Sequence, residues 1–215
     1  MPVLLSPTAQ PVILDSVSWE VYASLLRDAG DSPAARLTYD QGRLEIMAPS
    51  FAHEELKHLL ALLVELLASA LQVDLVGAGS TTFKRADIAR GFEPDASFYI
   101  QHAAAMRGKT VVDLSHDPPP DLVIEIDITH PSLEKLPLYA AMGILEVWRY
   151  DGQYMFIYQH AGDGYTTNAV SAVLPGVTAA DLTRLLTLGQ QLPRPAWFAA
   201  VHAGVPTPRR TEGAL

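Results

Sequence analysis

Two acids and a lysine stand where hydrophobic sequence gives them no obvious reason to be. Asp95 follows Pro94 and opens one apolar run, Glu125 and Asp127 lie in the run Leu122-Val123-Ile124-Glu125-Ile126-Asp127, and Lys135 follows soon after. A buried carboxylate needs protonation, a cationic partner or a metal ion. Side chains alternate along a strand, so Glu125 and Asp127 share one face while Ile124, Ile126 and Ile128 share the other. Carboxylate oxygens suit Mg²⁺ or Mn²⁺; Mg²⁺ is commonly held by one or two acids and keeps waters for substrate phosphates. An aspartate, an acidic strand and a nearby lysine are the parts of a metal-dependent phosphodiesterase.

Each residue alone has a plainer explanation. Pro-Asp is a common turn dipeptide. Asp127 reads equally as a strand-end acid near solvent, Glu125 as a salt-bridged edge residue, and Lys135 as a surface lysine. Their placement together, each at the border of an apolar element, favours the catalytic reading. His53 opens a long helix on which positions 53, 56 and 60 share the inward face, so it is positioned to look into the site. A helix-terminal histidine bonded to backbone is the commoner outcome. Glu54 lies on a different bearing, and Glu45, Glu93, His130 and Tyr139 are supporting candidates. Helix packing is the leading explanation for Tyr139, and Trp148, in an apolar strand, reads as core.

The elements that must position these residues follow from periodicity. Residues 1–16 carry Pro2, Pro7 and Pro11 and read as an extended arm. Ser18 caps a short helix ending at Gly30. Residues 36–39 and 43–47 flank Asp40-Gln41-Gly42 as a hairpin. Apolar residues at 56, 59, 60, 63, 66, 67, 70 and 71 mark the longest helix. Strands are expected at 73–76, 80–84, 95–100, 121–128, 144–150 and 153–159. A helix starts near Pro137, which a helix interior would exclude, and the last helix spans 179–188. Residues 17–192 then form one domain, and 193–215, with Pro206 and Pro208, form a loosely held tail.

With 215 residues, 49% hydrophobic and 18% charged, the chain can bury a core without staples. It contains no cysteine, which removes disulfides, thiol nucleophiles and cysteine-bound metals and fits a cytoplasmic location. No basic residue precedes Arg27, so no secretory signal is expected, and residues 59–76 are interrupted by Glu65, Gln72 and Asp74, which argues against a membrane span. The net charge of -9 repels nucleic acid unless basic groups cluster. Lys84, Arg85 and Arg90 before Asp95, and Arg107 and Lys109 after it, are the candidates for phosphate contact; solvated loop charge explains them equally well.

The combination resembles a family, the bacterial putative restriction endonuclease domain within the PD-(D/E)xK nuclease superfamily. It does so through the stretch from Tyr39 to Ser50, His53, Glu93-Pro94-Asp95, Pro119-Pro120-Asp121-Leu122-Val123-Ile124-Glu125-Ile126, Lys135 with Tyr139, and the stretch from Gly143 to Tyr150. The resemblance implies an α/β restriction-endonuclease-like core, a mixed β-sheet flanked by helices with the site at the sheet edge. It implies DNA as substrate, Asp95 and Glu125 with the Ile126 carbonyl as ligands of Mg²⁺ or Mn²⁺, and Lys135 as the superfamily lysine displaced along the chain. Where the superfamily places that lysine two residues after the glutamate, this chain has Asp127, either a further metal ligand or a local peculiarity. Two other readings remain: an inactive nuclease-like interaction module, with a homodimer as one form, and a hydrolase of a small phosphate ester.

Overall fold

The computed structural model describes residues 11–30, 35–128 and 132–204. Pro2, Pro7, His130, Pro206 and Pro208 lie outside these residues. The described chain folds around two sheets. In the first, β1 (Val12–Leu14), β3 (Arg43–Met47), β2 (Arg36–Asp40), β6 (Arg90–Phe92) and β5 (Phe83–Arg85) lie side by side in that order, every pair antiparallel. The β2–β3 turn places Gln41 at φ 48° and Gly42 at φ 106°, the left-handed pair that matches the twist of a tight hairpin.

The second sheet orders β11 (Gly164–Asn168), β10 (Met155–Ala161), β9 (Glu146–Tyr150), β8 (Leu122–Ile126), β7 (Ala96–Tyr99) and β4 (Val76–Gly77). It is mixed: β8 and β9 run parallel and the remaining neighbours antiparallel. Parallel strands need a crossover, and α4 (Leu136–Met142) supplies it. Pro137 sits in its first turn, where a missing amide is harmless, and Gly143 ends it at φ 80°.

Helices cover both faces. Helix α2 (Phe51–Leu71), α5 (Ala179–Gln191) and α6 (Arg194–Gly204) bury Leu60, Leu63, Leu185 and Trp197 against Ile124, Ile126 and Trp148. On the opposite face Val123, Val147 and Tyr99 meet Phe83, Tyr139 and Met142. The acidic face of β8 is thus also an interior face, and Glu125 is 3% exposed. Helix α1 (Trp19–Ala29) closes the first sheet by stacking Tyr22 on Tyr39 at 4.8 Å, and α3 (Ala103–Met106) is a single turn. Among the described residues no helix is long and apolar enough to cross a membrane.

Both ends are more structured than expected. Val12–Leu14 of the anticipated arm pairs with β3, and Arg194–Gly204 of the anticipated tail is a helix. Pro193 precedes this helix and Pro195 lies in its first turn, where a missing amide is tolerated. Trp197 and Val201, one helical turn apart, are fully buried, and the Trp197 indole donates to the Leu185 carbonyl at 2.8 Å. Strand β11 is not among the expected elements; its polar Gly-Tyr-Thr-Thr-Asn sequence carries little apolar signal.

Gly189 makes this packing possible, because a Cβ there would stand 2.8 Å from the Trp197 ring. Alanine gains about 1 kcal/mol of helix propensity, but overpacking a rigid buried ring costs about 1–3 kcal/mol. Gly189→Ala is expected to lower the melting temperature, at roughly 2–4 °C per kcal/mol of net loss. Gly164→Ala, with nothing within 4 Å of the new methyl, should leave it unchanged in the same scan.

Candidate active site

Asp95 immediately precedes β7, whose Ala96 pairs with Ile124 of β8. One step further along that antiparallel register sets Asp95 across from Glu125 on the same face. Both are buried, at 1% and 3% exposure. The two acids are therefore neighbours because adjacent strands carry them, and each is compensated by the protein.

Asp95 Oδ2 accepts the Ile126 amide at 2.6 Å, and its Oδ1 meets the Arg36 guanidinium. Arg36, at the start of β2, also binds Glu54 Oε1 at 2.6 Å, and Glu54 binds Lys57 at 3.3 Å. In an extended strand a residue's N–H and C=O point to the same side, so the Ile126 carbonyl faces the Asp95 edge. Glu125 accepts the Tyr139 hydroxyl, and its other oxygen lies 3.5 Å from the Lys135 ammonium. Lys135 is also 3.4 Å from Glu45 Oε1.

Electrostatics sorts these groups. Burial raises the Glu125 carboxyl, outweighing Lys135, Tyr139 and Arg36, which pull it down. Burial works against the Lys135 ammonium, yet Glu125, Glu45 and Asp127 together overcome it and raise its pKa. Lys135 thus remains a cation. His53 is driven down to about 4 by burial and by Arg36, so it is a neutral imidazole at neutral pH. Its Nε2 stands 3.2 Å from Asp95 Oδ2 without hydrogen-bond alignment, and neither ring nitrogen has a hydrogen-bond partner among the described residues.

The structure therefore brings Asp95 with His53 and the Ile126 backbone, and Glu125 with Lys135, into two adjoining polar groups that feel each other's charge. Asp127 differs: Arg149, its neighbour on β9, binds its carboxylate and rests 5.8 Å from the Phe156 ring. Among the described residues no cluster of three ligating carboxylates or imidazoles occurs. Glu54, expected on another bearing, joins the network through Arg36. Arg36 gave no signal of its own, since a basic residue opening a hairpin strand looks like a solvated end. Arg149 gave no signal either, since only the β8–β9 register sets it beside Glu125. Glu93 holds the first sheet instead, accepting from Leu37 N at 2.8 Å and Thr82 Oγ1 at 2.6 Å.

A cavity of about 240 Å³ leads to Lys135, with Glu45 on its wall and Arg43 and Glu134 also lining it. This volume is smaller than the roughly 300–1,000 Å³ of ordinary small-ligand sites and admits a phosphodiester group.

The His53 shift carries a pH signature. Its folded pKa lies below the ordinary 6.5, so the unfolded chain takes up the proton first and stability falls as pH drops from about 6.5 towards about 4. In chelator-treated protein, His53→Gln should flatten that stretch of a melting-temperature profile against pH. An unchanged slope would show that His53 is not the group responsible.

Residues 19–195 match the Uma2 family, described as "Putative restriction endonuclease". Among solved structures, a chain described as a putative nuclease belonging to DUF820, from Anabaena variabilis ATCC 29413, matches with a TM-score of 0.53 and 17% identity. The match covers 79% of this chain and 99% of that one, and shows a shared fold. No curated protein matches. With most of its length inside the family match, and a buried acid pair with its lysine in the two-sheet core, the chain belongs to the Uma2 family.

Proposed function

We propose that this chain hydrolyses DNA phosphodiester bonds with Mg²⁺ or Mn²⁺. One observation carries the reading: two buried carboxylates, Asp95 and Glu125, stand across neighbouring strands with the Lys135 ammonium 3.5 Å from the second. The description of the family and that of the structural neighbour, a nuclease in both cases, point to the same chemistry.

The donor set fits a hard divalent ion, with carboxylate oxygens from Asp95 and Glu125 and a strand carbonyl at Ile126. Bound there, the ion would polarise a phosphoryl oxygen and lower the pKa of a water. Arg36 now supplies positive charge to Asp95, so its guanidinium must turn from Oδ1 for that oxygen to ligate. Lys135 offsets charge growing on the phosphoryl oxygens, which its three acidic neighbours permit by keeping it protonated. Tyr139 fixes the Glu125 carboxylate through its hydroxyl. The neutral His53 imidazole can hold the attacking water at a ring nitrogen that has no other partner among the described residues. Asp127, expected as a candidate ligand, orients Arg149 beside the acids. A cytoplasmic location belongs to the same reading, which requires no disulfide.

A second reading has its own support. The small cavity at Lys135 and the net charge of -9 favour a compact phosphate ester over a DNA duplex. Substrate profiling with oligonucleotides and small phosphodiesters separates the two.

Asp95→Ala, Glu125→Ala and Lys135→Ala should each lower metal-dependent cleavage of plasmid DNA by at least on the order of 10²- to 10³-fold while the circular dichroism spectrum is kept. Full cleavage in all three would overturn the proposal. Arg36→Gln tests the cation balance without an activity assay. Removing one partner of a buried ion pair typically costs about 3–5 kcal/mol, so the metal-free variant should melt well below wild type. Mg²⁺ should then raise its melting temperature more than that of wild type, and an equal rise in both would argue against a metal beside Asp95.

A further inference from the structure

The basic residues around Asp95 fall into two groups. Arg85 is taken by Asp87, Arg90 by Asp40 at 2.7 Å and Arg107 by Asp74 at 2.5 Å. Lys84 makes no ion pair among the described residues. Lys109 binds Asp117, but an ammonium has three donors and one carboxylate does not exhaust them. These two lysines, from β5 and from the segment after α3, line one cavity of about 490 Å³.

The cavity differs from the rest of this acidic protein. No Asp or Glu lines it, and Thr110 stands with the two lysines, while the Thr81 hydroxyl donates to the Ala78 carbonyl at 2.6 Å. Met106 and Tyr99 form part of its apolar wall. Tyr99 is 1% exposed, and its buried hydroxyl has no hydrogen-bond partner among the described residues. Such a group is costly to leave unpaired and gains by meeting a ligand atom or water. The volume lies within the roughly 300–1,000 Å³ typical of small-molecule sites. Tyr99 lies four residues beyond Asp95 along β7, so the cavity is roughly 13 Å from the acid pair at about 3.3 Å per strand residue. It is a separate place.

We propose that this cavity binds a phosphate monoester of nucleotide size. The phosphate would sit between the Lys84 and Lys109 ammoniums with the Thr110 hydroxyl completing its shell, and the nucleoside would lie against Tyr99 and Met106. A dianionic group with several acceptor oxygens matches two cations and a neighbouring hydroxyl donor better than a single carboxylate does. The source is either a free nucleoside monophosphate or the phosphorylated end of a nucleic-acid strand. The proposal does not depend on phosphodiester cleavage by the acid pair.

Titration calorimetry on the full chain in excess chelator tests it, using a nucleoside monophosphate and a short oligonucleotide with and without a 5′-phosphate. The monophosphate should bind, and the double variant Lys84→Gln/Lys109→Gln should weaken it at least about tenfold, the scale of one lost charge-assisted hydrogen bond. Tyr99→Phe should weaken it severalfold with the melting temperature kept, whereas Lys135→Gln should change it less than about twofold. Preference for the phosphorylated oligonucleotide assigns the strand end as the source; indifference between the two, with monophosphate binding kept, assigns the free nucleotide. No heat from the monophosphate or the phosphorylated oligonucleotide, affinity unchanged in the double lysine variant, or binding lost in Lys135→Gln would overturn the proposal. Because chelator removes divalent metal, failure here is distinguishable from failure of the nuclease reading.

Discussion

Two carboxylates in a dry interior must be matched by positive charge, and much of this structure is arranged to supply it. Asp95 draws Arg36 from β2, and Glu125 draws Lys135 from the entry to α4. Each cation binds a second acid, Glu54 on α2 and Glu45 on β3. The network thus ties both sheets, the long helix and the crossover helix together. In a low-dielectric interior these bonds are strong when complete, and an unpaired member is correspondingly expensive.

In the proposed reaction, the same arrangement lets an acidic protein meet an anionic substrate. Protein cations neutralise the acids, and a divalent ion in the proposed chemistry would take over part of that role. Most basic residues near Asp95 in sequence are already matched by local acids, so net charge says little about the field at the site. Fold and family set the expectation of nuclease chemistry, but chemistry lives in particular side chains. In the proposed reaction those are the acid pair, its lysine and an imidazole without a hydrogen-bond partner among the described residues.

Apolar periodicity made much of the scaffold legible. The stripe from Leu56 to Leu71 gave the long helix, and Asp40-Gln41-Gly42 gave the hairpin turn. Proline misled at the C-terminal end, where Pro206 and Pro208 suggested a loose tail while Trp197 and Val201, one turn apart, carried a helical signal. The two-faced reading of β8 holds: Ile124 and Ile126 pack against α2, and the Glu125 face is covered by α4 and the first sheet. Alternation along one strand reports which side chains share a face, and says nothing of what lies on top.

By itself the sequence determined that Asp95, Glu125 and Lys135 lie at the borders of apolar elements, because hydrophobic patterning is local and a charge within it stands out. Only the tertiary structure decided the partners. Arg36 is far from Asp95 along the chain, and Arg149 is as far from Asp127 as one crossover connection. Such pairs arise from strand order and register, which bring distant segments within contact, and no local pattern records which cation will be there when they meet.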